Sequence, residues 1–160
     1  MDKSALRTAI LAQLETDLNL QLQAALNSRD EATHEESQAE NKYDMHAQEA
    51  AYLAEGQARL VNEIRESINL YVSLPLPEFT DSEVISVGAV VVMNDPKGTS
   101  THVFIGPRAG GMELIVDSQS YLVITPSSPL GRQLLGKRVG DKVTLPGRGS
   151  SVVHRITAVR

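Results

Sequence analysis

Apolar residues in the first half of the chain recur at steps of three and four, the spacing of one face of an α-helix. Proline is absent between residues 4 and 70, and Gly56 is the one glycine there, so local chemistry does not interrupt a helix. We predict two helices that bury these faces against each other as an antiparallel coiled-coil hairpin over residues 1–73. Asp2 or Ser4 would cap the first helix. The two apolar series are Leu11, Leu14, Leu18, Leu22 and Ala25, and then Ala47, Ala50, Ala54, Gln57, Val61, Ile64 and Ile68.

The turn of this hairpin coincides with a cluster of acidic residues. Arms of equal length place the turn between residues 30 and 40, at the end of a rod roughly 48 Å long. We assign the tip to residues 30–41. Acidic side chains also favour helix N-termini, so such a cluster alone would indicate a solvated loop. Its coincidence with an independently placed tip makes it a candidate functional site. The carboxylates at or just beyond the tip are Asp30, Glu31, Glu35, Glu36, Glu40 and Asp44.

The second half of the chain has the pattern of short strands and turns. Pro75 and Pro77 end the helical pattern and indicate a linker over residues 74–82. Valine- and isoleucine-rich segments then alternate with glycine- and proline-containing turns. Ser127 or Ser128 would cap a short helix over 130–135, with Pro129 at its first position. We therefore predict that residues 83–160 form a small antiparallel sheet with one short helix, and that the whole chain is an α+β protein.

Composition narrows the classes of function. The 160 residues carry a net charge of −5, which disfavours a general nucleic-acid-binding protein. The sequence has no cysteine, so it can form neither a disulfide nor a thiolate metal site. It shows neither a signal-peptide pattern at its start nor an apolar run of the ~20 residues that span a bilayer. We expect a cytoplasmic, monomeric protein without a membrane partner.

Three short motifs resemble the Gre family of bacterial transcript-cleavage factors (GreA and GreB). The run Ser-Pro-Leu-Gly-Arg-Gln-Leu-Leu-Gly-Lys at 128–137, followed by Val-Gly-Asp at 139–141, is similar to the family's C-terminal signature. Glu40-Asn41 and Glu55-Gly56 are similar to pairs in its helical hairpin. The resemblance implies an FKBP-like second domain without isomerase activity, which docks on RNA polymerase near the secondary-channel entrance. It assigns polymerase contacts to Ser128, Pro129, Leu130, Arg132 and Lys137.

The same resemblance implies a chemistry for the tip. In the family, two tip carboxylates help the polymerase hold a second Mg²⁺, which activates the water that cuts backtracked RNA. Glu40 is the direct counterpart of one of the family's two tip carboxylates. Ser37 stands where the family has the essential aspartate, and Asp44 where it has a tyrosine. Glu36 is the neighbouring candidate for the missing ligand, and Asp44, one turn after Glu40, is another. The Mg²⁺ would be shared with the polymerase, so we expect no cofactor of the protein's own.

Four hypotheses about function remain open at this point. The first is an elongation factor that stimulates cleavage by RNA polymerase, without being an enzyme itself, and transiently contacts the RNA 3′ end. The second is a non-catalytic regulator or inhibitor in the same channel, which the Ser37 substitution favours. A prolyl isomerase built on the second domain is disfavoured by the shortage of aromatic residues there. A coiled-coil scaffold would not explain the C-terminal signature.

Overall fold

Long helices occupy the first half of the chain and short strands the second. The structure is a computed structural model that describes residues 2–33, 45–146 and 151–160. In these ranges α1 spans Lys3–Thr33 and α2 spans Met45–Ser73. The remaining elements are β1 (Val90–Asn94), β2 (Ser100–Ile105), β3 (Glu113–Val116), β4 (Gln119–Ile124), α3 (Pro129–Leu134), β5 (Lys142–Pro146) and β6 (Ser151–Val159). The predicted α+β class is confirmed.

Asp2 caps the first helix. Its Oδ1 accepts a hydrogen bond of 2.8 Å from the backbone N–H of Ser4, and its Oδ2 accepts one of 2.6 Å from the Ser4 hydroxyl. These bonds, that from the Ser4 side chain first, hold the pKa of Asp2 below its usual value. The cap satisfies a backbone donor that has no partner within the helix.

The faces predicted to be apolar are the covered faces of both helices. Leu14 on α1 and Val61 on α2 are buried. The other predicted positions with a described side chain, among them Leu18, Gln57 and Ile68, are half-buried. Ala47, Ala50 and Ala54 lie outside the residues whose side chains are described. Within the described ranges, α1 and α2 are both too polar to be candidates for crossing a membrane.

The chain divides into two compact units, one of which is discontinuous in sequence. The first unit combines Met1–Ile10 with Leu70–Arg160, and the second is Leu11–Asn69. The segment 74–82, predicted as a linker, belongs to the first unit. The ammonium group of Lys3 donates a hydrogen bond to the carbonyl of Pro77 and lies 5.0 Å from the centroid of the Phe79 ring. Burial lowers the pKa of Lys3, and the charge of Glu78 partly opposes this effect.

The six strands form one mixed sheet in the order β3-β4-β2-β1-β6-β5. Four of the neighbouring pairs are antiparallel, whereas β2 and β4 run parallel, with Phe104 opposite Val123. The prediction of a purely antiparallel sheet is wrong at this pair. The reason is that β3 lies at the edge of the sheet and is not hydrogen-bonded to β2. The chain turns back tightly after β3, so β4 lies between β3 and β2 and runs in the same direction as β2. Asp117 and Ser118 form that turn with positive φ values of 50° and 63°.

The two faces of the sheet are covered by different elements of the first unit. On one face the main core includes Val91, Val103, Ile105, Leu134 and Ile156, so α3 closes this side. Outside this cluster, a second set of residues is fully buried, and it combines the base of α1 and the end of α2 with strands β1, β2 and β4. That set is Leu6, Ile10, Tyr71, Val90, Phe104 and Val123.

Candidate docking groove

The short helix α3 begins at a cap that the sequence predicted. The Ser128 hydroxyl accepts a hydrogen bond of 3.0 Å from the N–H of Gly131 and donates one of 2.8 Å to the carbonyl of Thr125. Pro129 occupies the first position of the helix, where its missing N–H costs nothing. Gly131 is required by close packing, since a Cβ there would lie 1.9 Å from the Thr125 carbonyl oxygen. The start of α3 is thereby fixed against the end of β4.

A groove of about 530 Å³ opens beside this cap. Its walls come from the loop after β2, the end of β4, the start of α3 and the edge strand β5. The residues that line it are uncharged and largely apolar: Thr101, Gly110, Gly111, Leu122, Val123, Ile124, Thr125, Ser128, Pro129, Leu130, Gln133, Thr144 and Leu145. Such a surface suits an apolar segment of a partner better than a charged ligand.

The structure brings together three of the five predicted polymerase contacts. Ser128, Pro129 and Leu130 line the groove. Neither Arg132, which is exposed, nor Lys137, which is half-buried, lines it. The backbone of Lys137 instead serves the fold, because its carbonyl accepts a hydrogen bond of 2.8 Å from the N–H of Ile85.

Gln133 and Thr144 are groove residues that sequence reasoning missed. The Gln133 side chain makes two hydrogen bonds to the backbone of Thr144: Nε2 donates to the carbonyl at 3.1 Å, and Oε1 accepts from the N–H at 3.0 Å. This pairing occupies backbone groups that the edge strand β5 would otherwise leave open. The residues are eleven positions apart, and no local pattern signals the contact.

The groove differs from a proline-binding pocket. No aromatic side chain is present in its described lining. Tyr121, on β4, is buried and packs its ring against that of His102, with centroids 5.6 Å apart. The groove therefore lacks aromatic walls that would hold a proline ring, which weighs against the isomerase hypothesis.

The predicted tip site lies outside the described residues. Glu36, Ser37 and Glu40 fall in the range 34–44, as does Asp44, so their assignments as catalytic groups and Mg²⁺ ligands stay predictions. In the part of the chain that the structure describes, no group of three or more histidine, aspartate or glutamate side chains could hold a metal ion.

A known sequence family matches the second half of the chain. The family described as "Transcription elongation factor, GreA/GreB, C-term" matches residues 80–160, which include the whole sheet, α3 and the groove. No curated protein sequence matches significantly.

Three solved structures of bacterial proteins match this chain at low sequence identity. GreA factor homolog 1 (Gfh1) of Thermus thermophilus is 20% identical, with 94% of each chain covered and a TM-score of 0.39. Gfh1 of Thermus aquaticus is 23% identical over 92% of each chain, with a TM-score of 0.40. The elongation factor GreA/GreB from Nitrosomonas europaea is 19% identical over 65% of this chain and 78% of its own, with a TM-score of 0.40.

Proposed function

Since the chain belongs to the GreA/GreB family of transcription elongation factors, half of its length matching the family's C-terminal domain, we propose that it binds RNA polymerase through the groove beside α3. The observation that carries this proposal is the position of the family-like segment 128–137. Its first three residues form one wall of an uncharged groove, next to a rigid, capped helix start. An apolar segment of the polymerase would fit this surface.

A charge introduced at Pro129 tests the docking groove. Pro129 is exposed and occupies the first position of α3, where glutamate suits the positive end of the helix, so Pro129→Glu should fold. The charge would have to be desolvated against an apolar partner, and we expect polymerase affinity to fall by about tenfold or more. The matched control is Ile115→Glu, because Ile115 is 78% exposed on the edge strand β3 and does not line the groove. Equal affinity of both variants and the wild type would exclude the groove as the docking site.

The helical hairpin supplies the second half of the proposed function. When the sheet domain is docked, the acidic tip of the hairpin enters the secondary channel. There Glu40, together with Glu36 or Asp44, would provide ligands to a Mg²⁺ shared with the polymerase. The factor then stimulates the polymerase's own cleavage of backtracked RNA. Support for this step comes from the acidic sequence of residues 30–44 and from the Glu40-Asn41 pair.

A second function uses the same docking without cleavage. Ser37 replaces a carboxylate by a neutral hydroxyl, which is a weak ligand for Mg²⁺. A factor with this tip would occupy the channel and modulate or inhibit synthesis. The two functions differ in one measurable product, the short 3′ fragment of RNA.

Cleavage in stalled, backtracked elongation complexes separates these two functions. Wild-type protein is compared with Glu40→Ala and with the control Glu63→Ala, which removes an exposed carboxylate from α2 far along the chain from the tip. Fragments that appear with the wild type and Glu63→Ala but not with Glu40→Ala would establish a cleavage factor. Binding without fragments would establish the channel regulator, and absence of binding would refute the polymerase assignment.

A further inference from the structure

Tyr71, near the end of α2, contacts the backbone of the loop that follows β2. Its side chain is fully buried in the first unit, and its hydroxyl donates a hydrogen bond of 2.7 Å to the carbonyl of Arg108. Gly106 allows this approach, since a Cβ at that position would lie 2.0 Å from the Tyr71 hydroxyl oxygen and 3.2 Å from Val123. Burial raises the pKa of Tyr71 well above its usual range, so the hydroxyl keeps its proton and remains a donor.

Arg108, the residue that accepts the hydrogen bond from Tyr71, lies two positions before Gly110, which lines the groove. We call residues 107–111 the groove wall, because Gly110 and Gly111 line the groove and Gly110 lies against Thr125. The wall has an unusual backbone: Ala109 has a φ of 59°, a conformation that residues other than glycine seldom adopt. A backbone of this kind persists only where its surroundings fix it.

The ends of the groove wall are tied to the sheet by backbone bonds. Before the wall, the Gly106 N–H donates to Ile124 at 2.9 Å, and at its end the Gly111 N–H donates to Val123 at 2.8 Å. Between these points, the carbonyl of Ala109 accepts a local bond from Met112 at 3.3 Å. The hydrogen bond from Tyr71 fastens the middle of the wall to α2.

We propose that Tyr71 is a positioning residue for the docking groove, which fixes the middle of the groove wall and thereby sets the affinity for the polymerase. The inference rests on the proposed function, since it names a determinant of the same site. Three successive contacts support it. The Tyr71 hydroxyl donates to the Arg108 carbonyl, and Gly110, two residues further along the wall, lies against Thr125. The Thr125 carbonyl in turn accepts a hydrogen bond from the cap residue Ser128. The end of α2 is thus part of the support of the groove.

The variant Tyr71→Phe removes the hydroxyl and keeps the buried ring. The ring keeps its packing in the first unit and only one hydrogen bond is lost, so the fold should survive. We expect the affinity for polymerase to fall roughly three- to tenfold, the size of one lost hydrogen bond. Amide hydrogen exchange of residues 108–112 should become faster, while that of the β1–β6 pair stays unchanged. Tyr121→Phe is the matched control, because Tyr121 is a second buried tyrosine and lies on β4 instead of α2.

A second variant reaches the same contact from the other side. Gly106→Ala places a methyl group where the Tyr71 hydroxyl lies and should loosen the same residues. Normal polymerase affinity of Tyr71→Phe, together with weakened binding of Pro129→Glu, would overturn the inference and leave the docking groove intact. Faster exchange throughout the sheet would also overturn it, because Tyr71 would then serve the whole fold. Failure of the wild type to bind polymerase would instead refute the proposed function.

Discussion

Two glycines in helices show how differently the same residue type can act. At Gly131 in α3, a Cβ would lie 1.9 Å from the backbone oxygen of Thr125 and 2.9 Å from the Ser128 hydroxyl. Backbone cannot move aside as a flexible side chain can, so Gly131→Ala should push α3 away from β4. We expect a loss of about 3 kcal/mol in the free energy of unfolding, the upper end of the cost of overpacking. Urea denaturation followed by circular dichroism would measure it.

Gly56 in α2 provides the control for this experiment. A Cβ there meets no atom within 4 Å, and alanine is the better helix former. Gly56→Ala should therefore stabilise the protein by about 0.5–1 kcal/mol. If both substitutions changed stability in the same direction, the close approach at Gly131 would not be the cause.

At the scale of single residues, the sequence predicted what local chemistry decides. The capping serine, the proline at the first position of α3 and the Asp2 cap all follow from side chains that bond to backbone a few positions away. The bonds from Gln133 to Thr144 and from Tyr71 to Arg108 were not predictable. They join residues eleven and 37 positions apart, and such pairings depend on how the sheet is assembled.

In the described part of the helical unit, two buried side-chain oxygens have no hydrogen-bond partner. The side-chain oxygens of Gln21 on α1 and Gln57 on α2 are inaccessible to solvent, and no hydrogen bond to them is present in the described residues. An unpaired buried acceptor costs about 1–3 kcal/mol. Gln57→Leu should remove that cost and continue the apolar face of α2, and we expect a gain of about 1 kcal/mol in the free energy of unfolding, with Gln21→Leu behaving alike.

An exposed glutamine on α1, the helix that carries Gln21, controls for the change of side chain. Gln23 is exposed on α1, so Gln23→Leu should alter stability by less than about 0.5 kcal/mol. Thermal unfolding followed by far-ultraviolet circular dichroism, which reports helix content, would compare the three variants. A loss of stability in Gln57→Leu would mean that the oxygen has a partner, such as a bound water, that the leucine displaces.

The order of elements was predictable, and the pairing of strands was not. Alternation and turn residues predicted a series of short strands in the second half of the chain, because each half-buried strand carries its own period of two. The position of β4 between β3 and β2 depends on long-range packing. The tight turn at Asp117 and Ser118 brings β4 back beside β3, and the parallel contact with β2 follows from the space left there. A sequence in which every strand has a similar pattern does not encode that choice locally.

For the whole molecule, the boundary between units differs from the boundary between helix and strand. The change in composition near Pro75 suggested that all of residues 1–73 form one domain. In the structure, Met1–Ile10 and Leu70–Arg160 form one compact unit. Sequence periodicity could not indicate this, because the apolar face of a helix looks the same whether it packs on a sheet or on another helix.

The base of α1 should therefore be as important to the sheet as any of its strands. Leu6 is fully buried in the first unit, and replacing a buried leucine by alanine costs about 2–5 kcal/mol through lost contacts and the cavity left behind. We expect Leu6→Ala to lower the free energy of unfolding of the sheet by this amount, measured by the loss of protection from hydrogen exchange in β1 and β6.

Leu20→Ala is the matched control for Leu6→Ala, since Leu20 lies on the same helix and is 66% exposed. Its cost should stay within about 0.5 kcal/mol. If protection in the sheet fell equally in both variants, α1 would act through its own helical stability. If it fell in neither, the buried Leu6 side chain would not contribute to the stability of the sheet. A selective loss in Leu6→Ala would mean that a fragment starting at residue 83 lacks part of the core of the unit that carries the groove.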